Sequence, residues 1–182
     1  MIGAALAIWL LAVAAETAPP GAPAREASEG PCGLLTAQEI GVVAGGKVVE
    51  RKSAARVAGD LAIADCFFRS EPFESSVSLE LTRGASGAAR SVAEHWEAIF
   101  DEPQEKDGGE ARGGEREGEA APLAIEGVGD EAFWIGNPAS GALYVLNRKG
   151  DAFLRVSVGG GGGEELQRRK AIALARKALD RI

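Results

Sequence analysis

From residue 77 to 82 the chain alternates Val77, Leu79 and Leu81 with Ser78, Glu80 and Thr82. A period of two sends successive side chains to opposite faces of a strand, so this run predicts a half-buried one. DCFFRS at 65–70 and SSVSLELT at 75–82 flank the turn-rich EPFE, which predicts an antiparallel hairpin. Spacings of three and four take over in GAARSVAEHWEAIF at 87–100. There Ala89, Val92, Ala93, Trp96, Ile99 and Phe100 fall on one stripe, and Arg90, Glu94 and Glu97 on the other, as in a helix with one buried face. Three strand-like runs follow, EAFWIG, ALYVLNR and AFLRVSV, separated by NPASG and Lys149-Gly150-Asp151, and they predict a meander. The last stretch, EELQRRKAIALARKALDRI, predicts a helix with Leu166, Ala171, Leu174, Ala175, Ala178, Leu179 and Ile182 inward. Its acids come first and its bases later, as the helix dipole favours.

Upstream, Thr36 and Glu39 form a T-x-x-E capping box, with Leu35 and Ile40 at the staple positions, so a helix begins at Ala37. Gly45-Gly46 supplies its left-handed stop. Residues 47–51 are a candidate strand. The order of elements is helix, candidate strand, hairpin, helix, insert, three strands, helix. Most strand-to-strand links are too short for parallel crossovers, so the expected fold is α+β: an antiparallel sheet of about five to six strands, helices packed mainly on one face, and one disulfide.

The chain has 182 residues and a formal charge of −7, from 27 acidic and 20 basic residues, which argues against nucleic acid as a partner. Much of the excess lies in the acidic insert at 102–120, EPQEKDGGEARGGEREGEA, whose seven acids, three bases and few apolar positions predict disorder. MIGAALAIWLLAVAA, residues 1–15, reads as a signal peptide cleaved after Ala14 or Ala15, with an uncleaved anchor as the alternative. If it is cleaved, no stable membrane span is expected. Residues 16–31 form a Pro- and Ala-rich spacer before a single domain at 32–182. No Cys ends the apolar run, so release rather than lipid tethering is expected. In an oxidising compartment the only two cysteines, Cys32 and Cys66, are expected to pair.

Four stretches invite a chemical reading. EGVGDEAFWIG at 126–136 reads first as a turn that launches a strand, with Asp130 bonding nearby amides and Glu131 mattering little to stability. The sharper alternative makes Asp130 and Glu131 ligands of a cation or a basic partner. No second acidic cluster of suitable spacing accompanies them, and neither a metal nor a cofactor is expected. The pentaglycine 159–163 lies between a strand and a helix, yet Glu164-Glu165 replaces the Lys and hydroxyl of a phosphate loop, so it reads as a connector. His95, the only histidine, has no nucleophile motif beside it, and no catalytic residue is assigned. Trp134, Tyr144 and Phe153, on successive strands, are core residues or the lining of an aromatic groove.

Pro31-Cys-Gly-Leu-Leu-Thr-Ala-Gln-Glu39, Cys66-Phe-Phe, Gly127-Val-Gly-Asp-Glu-Ala-Phe133 and Leu143-Tyr-Val-Leu-Asn-Arg-Lys-Gly-Asp151, in that order, resemble a family of secreted actinobacterial-type domains of unknown function, many of them lipoproteins. The resemblance spans about residues 31–182. It implies one extracytoplasmic α+β domain with its cysteines bridged, similar in plan to the extracellular sensor domain of mycobacterial Ser/Thr kinases. The expected function is a secreted, non-enzymatic binding or sensing module of the bacterial cell envelope. Its ligand would be a small apolar molecule, a peptide or an envelope component. The alternatives are a hydrolase using His95 with Asp130 or Glu131, and a purely structural envelope protein.

Overall fold

The computed structural model describes residues 30–100, 121–137 and 139–182. The expected signal peptide, nearly all of the spacer and the acidic insert at 102–120 lie outside the described residues. The elements are helix α1 (Ala37–Ala44), strands β1 (Lys47–Ala58), β2 (Leu61–Glu71) and β3 (Val77–Gly84), helix α2 (Val92–Phe100), strands β4 (Leu123–Ala124), β5 (Glu131–Gly136), β6 (Gly141–Asn147) and β7 (Ala152–Val158), and helix α3 (Glu164–Leu179). The strands form one antiparallel sheet in the order β1-β2-β3-β7-β6-β5-β4.

The sheet has seven strands, where five to six were expected. The candidate strand at 47–51 runs on to Ala58, and Gly59-Asp60 turns it into a long hairpin with β2. Gly59 has φ +58°, which suits a two-residue mirror turn. Most of β1 is exposed because it is an edge strand, so it carries Lys47, Arg51, Lys52 and Arg56 instead of an alternating apolar row. That polarity hides it from a reading based on periodicity. The Gly-Asp dipeptide was the signal that could have revealed it. The other addition, β4, is a two-residue pairing of Leu123 and Ala124 with Trp134 and Phe133.

The capping box forms as expected, with Glu39 N donating to Thr36 Oγ1 at 3.2 Å and Thr36 N to Glu39 Oε2 at 2.9 Å. Gly45 ends α1 at φ +89°. A second box starts α2, where Ser91 N donates to Glu94 Oε2 at 2.7 Å and Glu94 N to Ser91 Oγ at 3.2 Å. It places the first helical residue, Val92, three residues after Ala89. The burial of Val77, Leu79 and Leu81 follows the alternation of β3, and together with Phe68, Val145, Leu154 and Val156 they pack against Ile40 and Ala44 of α1 and Ala171, Leu174, Ala175 and Ala178 of α3. Helix α2 lies on the opposite face over a smaller cluster of Val92, Trp96, Leu146 and Phe153, with Phe100, Phe133 and Tyr144 beside it.

Cys32 and Cys66 are bridged, with Cα atoms 5.1 Å apart. The bridge fastens a 3-10 turn over Gly30–Gly33 to the middle of β2, inside the larger core. No helix among the described residues is long and apolar enough to cross a membrane.

Candidate functional site

Antiparallel register places the side chains of the second sheet face in three rows. Ile63, Thr82, Phe153, Leu146 and Glu131 form the row beneath α2. Asp65, Glu80, Arg155, Tyr144 and Phe133 form the middle row, and Phe67, Ser78, Ser157, Ala142 and Ile135 the third. Helix α2 covers the first row and the aromatic end of the second. Trp96 rests against Phe133 and Phe153, each with ring centroids 5.9 Å away, and Phe100 stacks on Phe133 at 4.8 Å.

The third row is left open. Its middle three side chains, Ser78, Ser157 and Ala142, are small, so the sheet is low there, and taller groups border it. On one side stands the 3-10 turn Phe73–Ser75, whose Phe73 is 66% exposed and lies 6.3 Å from Phe67 between ring centroids. On the other side is the β5–β6 connection, held by Asn137 Oδ1, which accepts from the backbone nitrogens of Ala139 at 2.9 Å and Ser140 at 3.0 Å. Gly159 and Gly160 close one end, and Arg155 and Tyr144 form the upper wall. The result is an open trough of about 660 Å³. Its lining joins the apolar surface of Phe67, Phe73 and Ile135 to the hydroxyls of Ser78 and Ser157 and the Arg155 guanidinium, a mixture suited to holding a ligand.

Charge is arranged unevenly along the middle row. Arg56 donates to Asp65 at 2.6 Å and to Glu80 at 3.2 Å, so both acids share one guanidinium. Burial, and then the neighbouring Asp65 carboxylate, hold Glu80 above the ordinary carboxylate range, with Arg56 and Arg155 opposing them. Arg155 gives its Nε to Tyr144 Oη at 3.1 Å, and its Cζ lies 5.8 Å from the centre of that ring.

Of the three aromatic candidates, only Tyr144 lines the trough. Phe153 shares its face but is 6% exposed beneath Trp96. Trp134 points to the other face, because it pairs with Leu143 and not with Tyr144. There it is 1% exposed, lies across Gly136 and Gly141, and donates Nε1 to Glu164 Oε1 at 2.9 Å. Asp130 and Glu131 are brought together around Arg148. Asp130 Oδ2 accepts from Arg148 N at 2.7 Å, while Glu131 accepts from the Arg148 guanidinium and, at 3.0 Å, from Trp96 Nε1. His95 sits elsewhere, with Nε2 3.8 Å from Asp60 Oδ2. No group of three or more potential metal ligands gathers among the described residues.

The sequence reading missed Phe67, Ser78, Ser157 and Arg155. Ser78 and Arg155 do occupy the polar parity of β3 and β7, so their face was legible. That α2 would leave the third row bare was not. No family model matches this chain, and neither a curated protein nor a solved structure matches it.

Proposed function

We propose that the protein is an exported, non-enzymatic binding or sensing module whose ligand lies in the trough over Ser78, Ser157 and Ala142. The observation that carries this reading is an open concave site floored by small side chains, on a sheet face that the chain covers elsewhere with α2. A structural protein gains nothing from leaving Phe67 partly exposed and Phe73 largely so, whereas a binding protein gains a surface for a ligand that covers both rings. The Cys32–Cys66 bridge supports maturation in an oxidising compartment, in keeping with the leader read at residues 1–15. The resemblance to secreted domains, similar in plan to an extracellular sensor, points the same way. The hydrolytic alternative lacks comparable support, because His95 faces Asp60 while Glu131 is engaged by Trp96 and Arg148.

The test is amide chemical-shift mapping of the folded protein with three separate pools: short peptides, oligosaccharides and medium-chain acyl acids. At least one pool is expected to move the amides of Ser78, Ala142 and Ser157. Ser157→Trp, which fills the trough from its floor, is expected to abolish those shifts while retaining the fold. If no pool perturbs the trough, the reading is wrong.

A further inference from the structure

Two arginines and two carboxylates meet in the middle row, and the bonding among them is lopsided. Asp65 and Glu80 both bond to Arg56. Arg155 lies directly opposite Glu80 on the next strand, yet its only hydrogen bond among the described residues runs from Nε to Tyr144. Its two terminal nitrogens hold no hydrogen bond among those residues, and the side chain lines the trough. A guanidinium oriented through Nε by a phenol, with its terminal edge unengaged, is arranged for two-point pairing with a planar anion.

We propose that Arg155 anchors the free carboxylate of a short peptide whose apolar side chain packs against Phe67 and Phe73. This rests on the reading of the trough as a binding site. Charge favours a monoanion: Glu80, which already bonds to Arg56, stands beside Arg155, and Glu74 lies on the rim, so a doubly charged phosphate meets these carboxylates with twice the charge of a peptide terminus. Hydrogen bonding selects a peptide over an acyl chain. Ser78 and Ser157 form the floor, and an alkyl chain laid on them would leave two hydroxyls unpaired, whereas peptide amides satisfy them. Reach agrees as well. From Arg155 on β7 to Phe67 on β2 is two strand spacings across and two residues along, about 12 Å, which three extended residues and the side chains at their ends cover. The apolar side chain therefore belongs at the third position from the C-terminus.

The experiment titrates the whole protein with four probes, followed by amide shifts: N-acetyl-Phe-Ala-Ala with a free carboxylate, the same peptide as its C-terminal amide, octanoate, and inorganic phosphate. The free acid is expected to shift the trough and to bind at least about tenfold more tightly than the amide, a difference in line with one charge-assisted pair. Arg155→Met, which keeps the apolar stem, is expected to bring the acid down to the affinity of the amide. Tyr144→Phe, which frees Nε, is expected to weaken the acid by a smaller factor. Unchanged amide spectra away from the trough confirm that both variants fold. Equal affinity of acid and amide at the trough would overturn the role of Arg155 and leave the trough a peptide site. Tighter binding of octanoate or phosphate than of the peptide acid would overturn the peptide. Failure of all four probes would overturn the proposal, while the broader pools above judge the trough separately.

Discussion

Gly129 governs the turn into β5 for two independent reasons. Its φ is +63°, and a Cβ there would lie 2.5 Å from the carbonyl oxygen of Leu146 and against Val145. Gly129→Ala is therefore expected to destabilise the fold by about 2–4 kcal/mol, read as a fall in the denaturant midpoint. A loss under about 1 kcal/mol would mean the turn relaxes freely. Of the two carboxylates that follow, Asp130 was expected to bond nearby amides and Glu131 to matter little to stability. Asp130 accepts from Arg148 N across the β5–β6 pair, and Glu131 ties α2 to the sheet through Trp96 Nε1. Gln167 offers a contrary case. The phase of Ala171, Leu174, Ala175 and Ala178 carries back to 167, not to Leu166, so an amide is buried to 1% exposure with neither polar atom partnered among the described residues. Gln167→Leu is expected to stabilise the protein by about 1 kcal/mol, because an unpaired buried amide is replaced by an apolar group of similar size. A lowered midpoint would mean that the amide is satisfied in solution.

Helices α1 and α3 are joined at their ends by one cluster. Arg181 donates from Nη2 to Glu39 Oε1 at 2.8 Å and from Nη1 to Leu34 O at 2.7 Å, while Glu39 closes the capping box with Thr36. The Arg181 guanidinium and, less strongly, the Thr36 bonds lower the Glu39 carboxyl from an ordinary 4.5 to about 2. A lowered carboxylate stabilises the fold in its charged form, so this contribution is present above pH 4.5 and is lost as the pH falls toward 2. Arg181→Ala is expected to cost about 1–2 kcal/mol at pH 7, and the difference from the parent should shrink between pH 4.5 and 2. Thermal melts of both proteins across that range check this. A gap that stays constant with pH would show that the Leu34 carbonyl, not Glu39, is the partner that matters.

For the molecule as a whole, the Cys32–Cys66 bridge joins the 3-10 turn at Gly30–Gly33 to the middle of β2 across 34 residues. Restricting the unfolded chain by a loop of that length contributes about 3–4 kcal/mol in the chain-entropy account. Cys32→Ala with Cys66→Ala is expected to lower stability by about that amount without moving the trough, since the bridge lies in the core on the opposite side of the sheet. Chemical denaturation gives the first quantity and an amide spectrum the second. Loss of the trough resonances in a folded double variant would contradict the separation of the two faces.

Features carried by neighbouring residues were legible along the chain. Thr36 and Glu39 announced α1, the parity of residues 77–82 announced β3, and the only two cysteines had only each other to pair with, because each of these depends on chemistry within a few residues or on a count. The length of β1 was hidden, since an edge strand facing water needs no apolar alternation. The separation of Trp134 from Tyr144 was hidden too, because parity assigns faces within one strand, and only the pairing of Trp134 with Leu143 relates one strand's parity to the next. The trough was decided last and at the longest range. Each side chain of its floor is small and locally unremarked, and the site exists because register aligns Ser78, Ser157 and Ala142 in one row while α2 packs over another.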